Sequence, residues 1–293
     1  MIGRVAMRIL EAQTRWAEPL GDLFVRLLRA IFRPIKPLKD LLNGTWLGHS
    51  LHAALTDAPV GMFTLAIVFD VLDIRLAADI AVGLGVLAMI AAALAGVADY
   101  TDTDDKARSV ATVHMTVMVL ALVLYVVSLW LRLADPQAAD RTVAIVVGLI
   151  GYGALIIGTW IGGEVVYGLG NMINRHAWRF YRPPDWQRLD ATDIPEGVPT
   201  KAKAGTQTVV VVRQGETIYA LHEQCAHAGG PLSEGRIVDG CIECPWHYSR
   251  YDLDNGRRKG GPTTFDQPRY EVRPADGGGW ELRRVADPPG QNV

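Results

Sequence analysis

A four-helix membrane bundle joined to a smaller β-rich domain is the fold class this sequence predicts, and three observations predict it. Four apolar stretches, near 53–74, 78–98, 110–131 and 143–166, are each long enough as helix to cross a hydrocarbon core, which takes about 20 residues. The composition agrees: 49% of the 293 residues are hydrophobic, 20% are charged, and the mean hydropathy is +0.15. All three cysteines, at 225, 241 and 244, lie beyond the last apolar stretch, among short segments rich in β-branched and aromatic residues. Disorder and collagen-like repeats are excluded by the apolar content and the aperiodic Gly and Pro. A net charge of -2 gives no reason to expect nucleic acid.

Residues 1–45 form an amphipathic N-terminal segment. Apolar residues at 2, 5, 9, 16, 20, 23, 24, 27, 28 and 31 oppose arginines, the pattern of a helix lying on a lipid surface or packing on a partner subunit. The membrane domain is expected over 46–170. Asp57, Asp70 and Asp73 fall in or beside its first span and must face protein or water. Gly158 and Gly162 stand at GxxxG spacing in the fourth span, where they let a neighbouring helix approach. A connector at 171–190 follows, with prolines at 183 and 184 and basic residues at 175, 179, 182 and 188.

Basic residues set the expected orientation. Fourteen Lys or Arg flank the spans on one side, eight before the first, two between the second and third, and four over 175–188 after the fourth. Only Arg75, Arg132 and Arg141 fall on the other. The positive-inside rule therefore places both termini in the cytoplasm of a multi-pass inner-membrane protein, with no signal peptide apparent.

The remaining part, 191–285 before a tail at 286–293, carries the chemistry. Cys225-Ala-His227 and, after sixteen intervening residues, Cys244-Pro-Trp-His247 each offer one thiolate and one imidazole. Such loops suit a [2Fe–2S] cluster with two cysteines on one iron and two histidines on the other. Zinc competes for the same donors, although zinc-finger spacing groups like residues together, while here each pair is mixed.

The runs CAHAGGPLSEG and CPWHYSRYDLDNGRRKGGP resemble a Rieske-type ferredoxin domain over about 186–285. Its Cys-x-His-x-Gly-x-x-Leu pattern is matched by Cys225, His227, Gly229 and Leu232. Its Cys-Pro-x-His is matched by Cys244, Pro245 and His247, and its Gly-Pro turn by Gly261 and Pro262. The resemblance implies a small antiparallel β domain with the cluster at one tip, Cys225, His227, Cys244 and His247 as ligands, and the imidazoles nearer solvent. Strands are expected at 206–212, 217–221, 236–238, 270–273 and 280–283.

Departures from the family refine the reading. Rieske proteins of bc complexes carry an additional cysteine in each loop, and the corresponding positions here are Gly230 and Trp246. This places the resemblance with the ferredoxin-like, lower-potential branch of a class spanning roughly -150 to +300 mV. Where the family has Gly after the second histidine, this chain has Tyr248. Cys241 and His222 read as structural. Only 46 residues and no histidine follow His247, so a Rieske oxygenase with a second iron site is not expected within this chain. No GxGxxG follows a strand.

The expected function is single-electron transfer between a reductase and an acceptor protein, a carrier or oxidoreductase component rather than a complete enzyme. In the membrane part, GHSLHAALTDAPVGM, VATVHMTVMVLALVLYVVSLWLR and GGEVVYGLG resemble a bacterial family of four-helix membrane domains of unassigned function, over about 45–168. His52, or His49 one turn earlier, is a candidate to pair with His114 on a haem b. The alternative is that these side chains bond backbone carbonyls. Asp57, Asp70, Asp99 and Glu164 are candidates for a quinone or proton site, or simple helix-end charges. The rival functions are therefore a quinone- or haem-dependent membrane oxidoreductase subunit and a redox-sensing membrane protein.

Overall fold

The computed structural model describes residues 2–177 and 185–285 and divides into two units. The first comprises Met1–Ile35 and Leu51–Asn171, the second Lys36–Ser50 and Met172–Val293. Residues 178–184 of the expected connector, including Arg179, Arg182, Pro183 and Pro184, and the tail at 286–293 lie outside the described residues.

The first unit is helical. α1 (Ile2–Glu11) and α2 (Thr14–Phe32) precede α4 (Leu51–Leu55), α5 (Asp57–Val71), α6 (Arg75–Tyr100), α7 (Asp105–Ala134) and α8 (Thr142–Gly163); α3 (Lys36–Asn43) belongs to the second unit. Four helical stretches, Leu51–Val71, Arg75–Tyr100, Asp105–Ala134 and Thr142–Gly168, are long and apolar enough to cross a membrane. Each begins within a few residues of its expected start, save that Asp105–Ala134 starts five earlier.

Small residues set the packing. Phe63 of α5 stacks on Tyr125 of α7 with centroids 3.4 Å apart, and the space it fills exists because Gly85 of α6 has no Cβ to strike its ring. A Cβ at Gly158 would collide with Met118 Sδ, so the expected close approach at the GxxxG pair is made by α7. Asp70 does face protein. It takes two bonds from Arg132, at 2.6 and 2.8 Å, and Arg132 and Arg141 both reach Asp79. Arg132 is 2% exposed, so its charge needs these partners. The N-terminal helices carry two apolar faces. Leu10, Ala17 and Val25 pack with Val110 and Val113 of α7, while Ile9, Leu23, Leu27 and Ile31 remain exposed.

The second unit is antiparallel β. A six-stranded sheet runs β1 (Gln187–Arg188), β10 (Trp280–Arg284), β9 (Arg269–Pro274), β4 (Thr217–His222), β3 (Gln207–Gln214), β2 (Thr200–Ala204). A four-stranded sheet runs β5 (Arg236–Val238), β6 (Cys241–Glu243), β7 (Arg250–Asp252), β8 (Arg258–Gly260). The Val209–Val212 run explains the layering. Alternate side chains of a strand point to opposite faces. Val209 and Val211 join a core with Ala202, Ala220 and Leu282, while Val210 and Val212 join one with Leu221, Leu232, Ile242 and Tyr251. The second core also contains Cys225 and Cys244, so the two Cys/His motifs stand directly on it.

Residues 36–50 were expected to belong partly to the N-terminal segment and partly to the membrane domain, and the structure gives them a different place. Asp40 Oδ1 accepts the Gly261 N–H at 3.1 Å, Thr45 Oγ1 donates to the Gly261 carbonyl at 2.9 Å, and Arg258 Nε donates to the Thr45 carbonyl at 2.8 Å. This segment therefore braces the Gly261-Pro262 turn.

Candidate metal centre

Two loops of matching construction carry the four candidate ligands. The first links β4 to β5 and the second links β6 to β7. In the first, the Cys225 N–H donates to the Gly230 carbonyl and the Cys225 carbonyl accepts from the Gly229 N–H, at 2.9 and 2.8 Å. In the second, Cys244 N–H donates to the Ser249 carbonyl and its own carbonyl accepts from the Tyr248 N–H, at 2.8 and 3.1 Å. The offsets of four and five residues are identical. Each loop needs a left-handed residue at the fourth position, with φ +84° at Gly229 and +64° at Tyr248. Tyr248 thus occupies a conformation that glycine adopts at no steric cost.

The loops bring all four predicted ligands together. Cys225 and Cys244 are 1% and 2% exposed, and their thiols are within hydrogen-bonding reach of one another. The His227 and His247 rings lie with centroids 5.0 Å apart and planes at 85°. At 4% and 5% exposure the imidazoles are only marginally more open than the thiols, a smaller difference than the family resemblance implies. Trp246 and Tyr248, flanking His247, are half exposed.

Burial would raise the Cys225 thiol, but hydrogen bonds from Cys244 and Tyr251 and the backbone N–H groups of His227 and Ala228 outweigh it and bring Cys225 down to about 6. Cys244 moves up, through its hydrogen bond with Cys225 and its own burial. Backbone N–H groups aimed at each sulfur favour thiolate, the form that binds metal. A Cβ at Gly230 would stand 2.9 Å from Cys244 Sγ, so the glycine keeps the space beside the sulfur clear. Two buried thiols and two neighbouring imidazoles fit the mixed donor set of a [2Fe–2S] centre.

Several residues around the site carry no sequence motif. Gln267, 2% exposed, accepts the Ala226 N–H at 2.9 Å and donates to the His222 and Gln224 carbonyls at 2.6 and 2.7 Å, pinning the first loop from below. Glu223 receives the Ser233 hydroxyl and N–H, and burial raises its carboxyl above the usual range. Glu243, beside Cys244, is clamped by Arg236 and Arg250, both at 2.6 Å; their hydrogen bonds overcome its burial and hold its carboxyl below the usual range. His176 lies in this unit: its Nε2 meets the Gln224 carbonyl at 2.8 Å and its ring is 4.6 Å from that of His222. Cys241 is a free, buried thiol of β6.

In the helical unit, His52 rather than His49 faces His114, with ring centroids 6.2 Å apart. Both rings do bond backbone carbonyls through Nδ1, at Ala92 and Gly158. His49 Nδ1 contacts the Ser50 carbonyl in the other unit.

Comparison with known proteins agrees with this division. Residues 185–271 match the Rieske [2Fe-2S] domain, and residues 48–174 match the family described as a predicted membrane protein, DUF2231. The anthranilate 1,2-dioxygenase ferredoxin subunit of Burkholderia cepacia is 37% identical over 94 residues, 32% of this chain and 87% of that protein. The ferredoxin component of the naphthalene 1,2-dioxygenase/salicylate 5-hydroxylase systems of a Ralstonia species is 32% identical over 81 residues, 28% of this chain and 78% of that protein. Among solved structures, the ferredoxin of carbazole 1,9a-dioxygenase from Nocardioides aromaticivorans IC177 aligns at 29% identity over 36% of this chain and all of that one, with a TM-score of 0.31. Through its C-terminal β unit, fused to a predicted membrane domain, the chain belongs to the Rieske [2Fe–2S] ferredoxin family.

Proposed function

We propose that this chain is a membrane-held carrier of single electrons whose Rieske unit works on the cytoplasmic side of the inner membrane, between a reductase and an acceptor protein. The observation that carries the reading is the donor set itself: Cys225, Cys244, His227 and His247 brought together by two matched loops over a dry core. A [2Fe–2S] cluster bound there supplies one-electron chemistry. The chain's own residues hold the thiolates out of water, direct N–H and O–H groups at the sulfurs, and keep the two loops rigid through Gln267 and Glu243. The half-exposed Trp246 and Tyr248 offer an aromatic docking edge beside His247, the residue type that protein interfaces favour. The dioxygenase ferredoxins among the relatives suggest an oxygenase as the class of acceptor.

The four apolar helices support membrane attachment, and the exposed Ile9, Leu23, Leu27 and Ile31 supply an apolar face for lipid. The distribution of basic residues supports the cytoplasmic side. A quinone- or haem-dependent subunit draws on one observation, the facing of His52 and His114 in the helical unit.

Protease treatment of oriented vesicles tests sidedness. The Rieske unit should be cut in inverted vesicles and protected in intact spheroplasts, and the reverse pattern would overturn the assignment. A reductive titration of purified protein should consume one electron per two irons.

A further inference from the structure

Two histidines of the helical unit are held by the same device. His52 on α4 directs Nδ1 to the Ala92 carbonyl on α6, and His114 on α7 directs Nδ1 to the Gly158 carbonyl on α8, each at 2.8 Å. Four positions beyond each acceptor stands a glycine, Gly96 and Gly162. A helical side chain lies over the turn before its own Cα, so the residue four further on is the one that would cover such a carbonyl. A Cβ at Gly96 would stand 2.8 Å from His52 Nδ1, and one at Gly162 2.9 Å from His114 Cε1. The two glycines open the two carbonyls to the two rings.

A carbonyl only accepts, so Nδ1 carries the proton in each neutral ring and Nε2 carries the lone pair. Among the described residues no hydrogen bond reaches either Nε2. An Nδ1–H fixed on a backbone carbonyl is the support that metal-ligating imidazoles usually receive.

The spacing of the rings distinguishes the kinds of site. A metal–imidazole bond of about 2.0–2.1 Å, with about 1.2 Å more to the ring centre, puts each centroid about 3.2 Å from the metal. Opposed ligands then have centroids about 6.4 Å apart, and ligands at a tetrahedral angle about 5.2 Å. His227 and His247, at 5.0 Å, fall in the tetrahedral class; His52 and His114, at 6.2 Å, fall in the opposed class. Among the described residues no third His, Cys, Asp or Glu side chain joins His52 and His114 to hold a metal ion, so the other coordination positions must come from the ligand. A porphyrin supplies four in its plane.

We propose that His52 and His114 are the axial ligands of one iron porphyrin in the helical unit, a site separate from the Rieske centre and independent of the carrier reading. The test uses full-length protein in detergent, made under haem limitation and titrated with hemin. Wild type should saturate at one haem per chain with a low-spin bis-imidazole spectrum. His52→Ala and His114→Ala should each weaken binding at least tenfold and lose that spectrum, while His49→Ala keeps it. The Rieske EPR signal of each variant and its helical circular dichroism report whether it folds. His52→Met and His114→Met, which keep a side chain able to ligate iron, should retain haem with an altered spectrum. Wild type that shows no saturable, low-spin haem binding would overturn the proposal, as would folded alanine variants that bind hemin like wild type or copper bound at one per chain in place of porphyrin. Because the cluster is read separately, loss of the Rieske signal would count against the carrier reading and not against this one.

Discussion

The Tyr251 hydroxyl lies 3.1 Å from Cys225 Sγ in the fully buried core under the first cluster loop. A thiolate can only accept, so with Cys225 as a ligand the hydroxyl donates. Such a bond favours the more negative, reduced state of the centre. Tyr251→Phe keeps the ring and removes the donor, and should lower the midpoint potential. A hydrogen bond to a charged group contributes about 1.5 kcal/mol in full. Only its change between oxidation states counts, so the expected shift is on the order of 30–60 mV, a tenfold change being 59 mV for one electron. Protein-film voltammetry of wild type and variant measures it.

His247→Cys acts in the same direction by a different route, adding a charge to the ligand set itself. The extra thiolate stabilises the oxidised centre more than the reduced one, and the potential should fall by on the order of 100 mV. An intact centre with an unchanged midpoint would remove His247 from the ligand set.

Gln267 makes three hydrogen bonds from one buried amide to the segment around the first loop. Gln267→Leu leaves the Ala226 N–H and two carbonyls poorly satisfied. It should cost about 3 kcal/mol, since each orphaned buried group costs about 1–3 kcal/mol. Iron content after purification should drop, and the unfolding midpoint in denaturant should drop with it.

Tyr248 sits at φ +64° where the matching position of the other loop is Gly229. Left-handed backbone costs a residue with a Cβ roughly 1–2 kcal/mol. The Lys36 ammonium, 5.9 Å above the Tyr248 ring, returns part of this. Tyr248→Gly should therefore stabilise the unit by about 1 kcal/mol, seen as a higher thermal midpoint with an unchanged EPR spectrum. A slower reaction with the physiological acceptor in the same variant would show that the aromatic edge takes part in docking.

Glu243 gives the unit an acid limit. Its carboxyl is held low by Arg250 and Arg236 against its burial. A carboxylate with a lowered folded pKa contributes stability that is fully present above its unfolded value, about 4.3, and is lost as pH falls through the folded one. Wild type should lose stability through this window, and Glu243→Gln should be weaker near neutrality and flatter below pH 4.5. Chemical denaturation at a series of pH values separates the two slopes.

How much of this was legible in the sequence depends on how local each feature is. The nearness of the two thiols and of the two imidazoles was, because two short motifs with mixed donors carry the four candidate ligands. The spans were too, since an all-round apolar run of membrane length has few alternative fates. β3 and β4 were visible through the Val209–Val212 run and its neighbours, whereas β6, β7 and β8, three residues each, present too few positions for a period of two to emerge. Gln267, Tyr251 and Glu243 left no signal, because their importance comes from contacts made across sheets. Asp40 and Thr45 lie more than 200 positions from the Gly261 turn they brace, and no reading of local pattern joins them. The left-handed role of Tyr248 was half visible, as a departure from the family's glycine, and its reason appeared only when the two loops could be compared.

The most direct test of the central claim is low-temperature EPR of the full-length protein in detergent after dithionite reduction, together with metal analysis of the same sample. The account predicts two irons per chain, one unpaired spin per two irons, and the low average g-value of mixed Cys/His ligation. One zinc per chain with no reducible spin would contradict it.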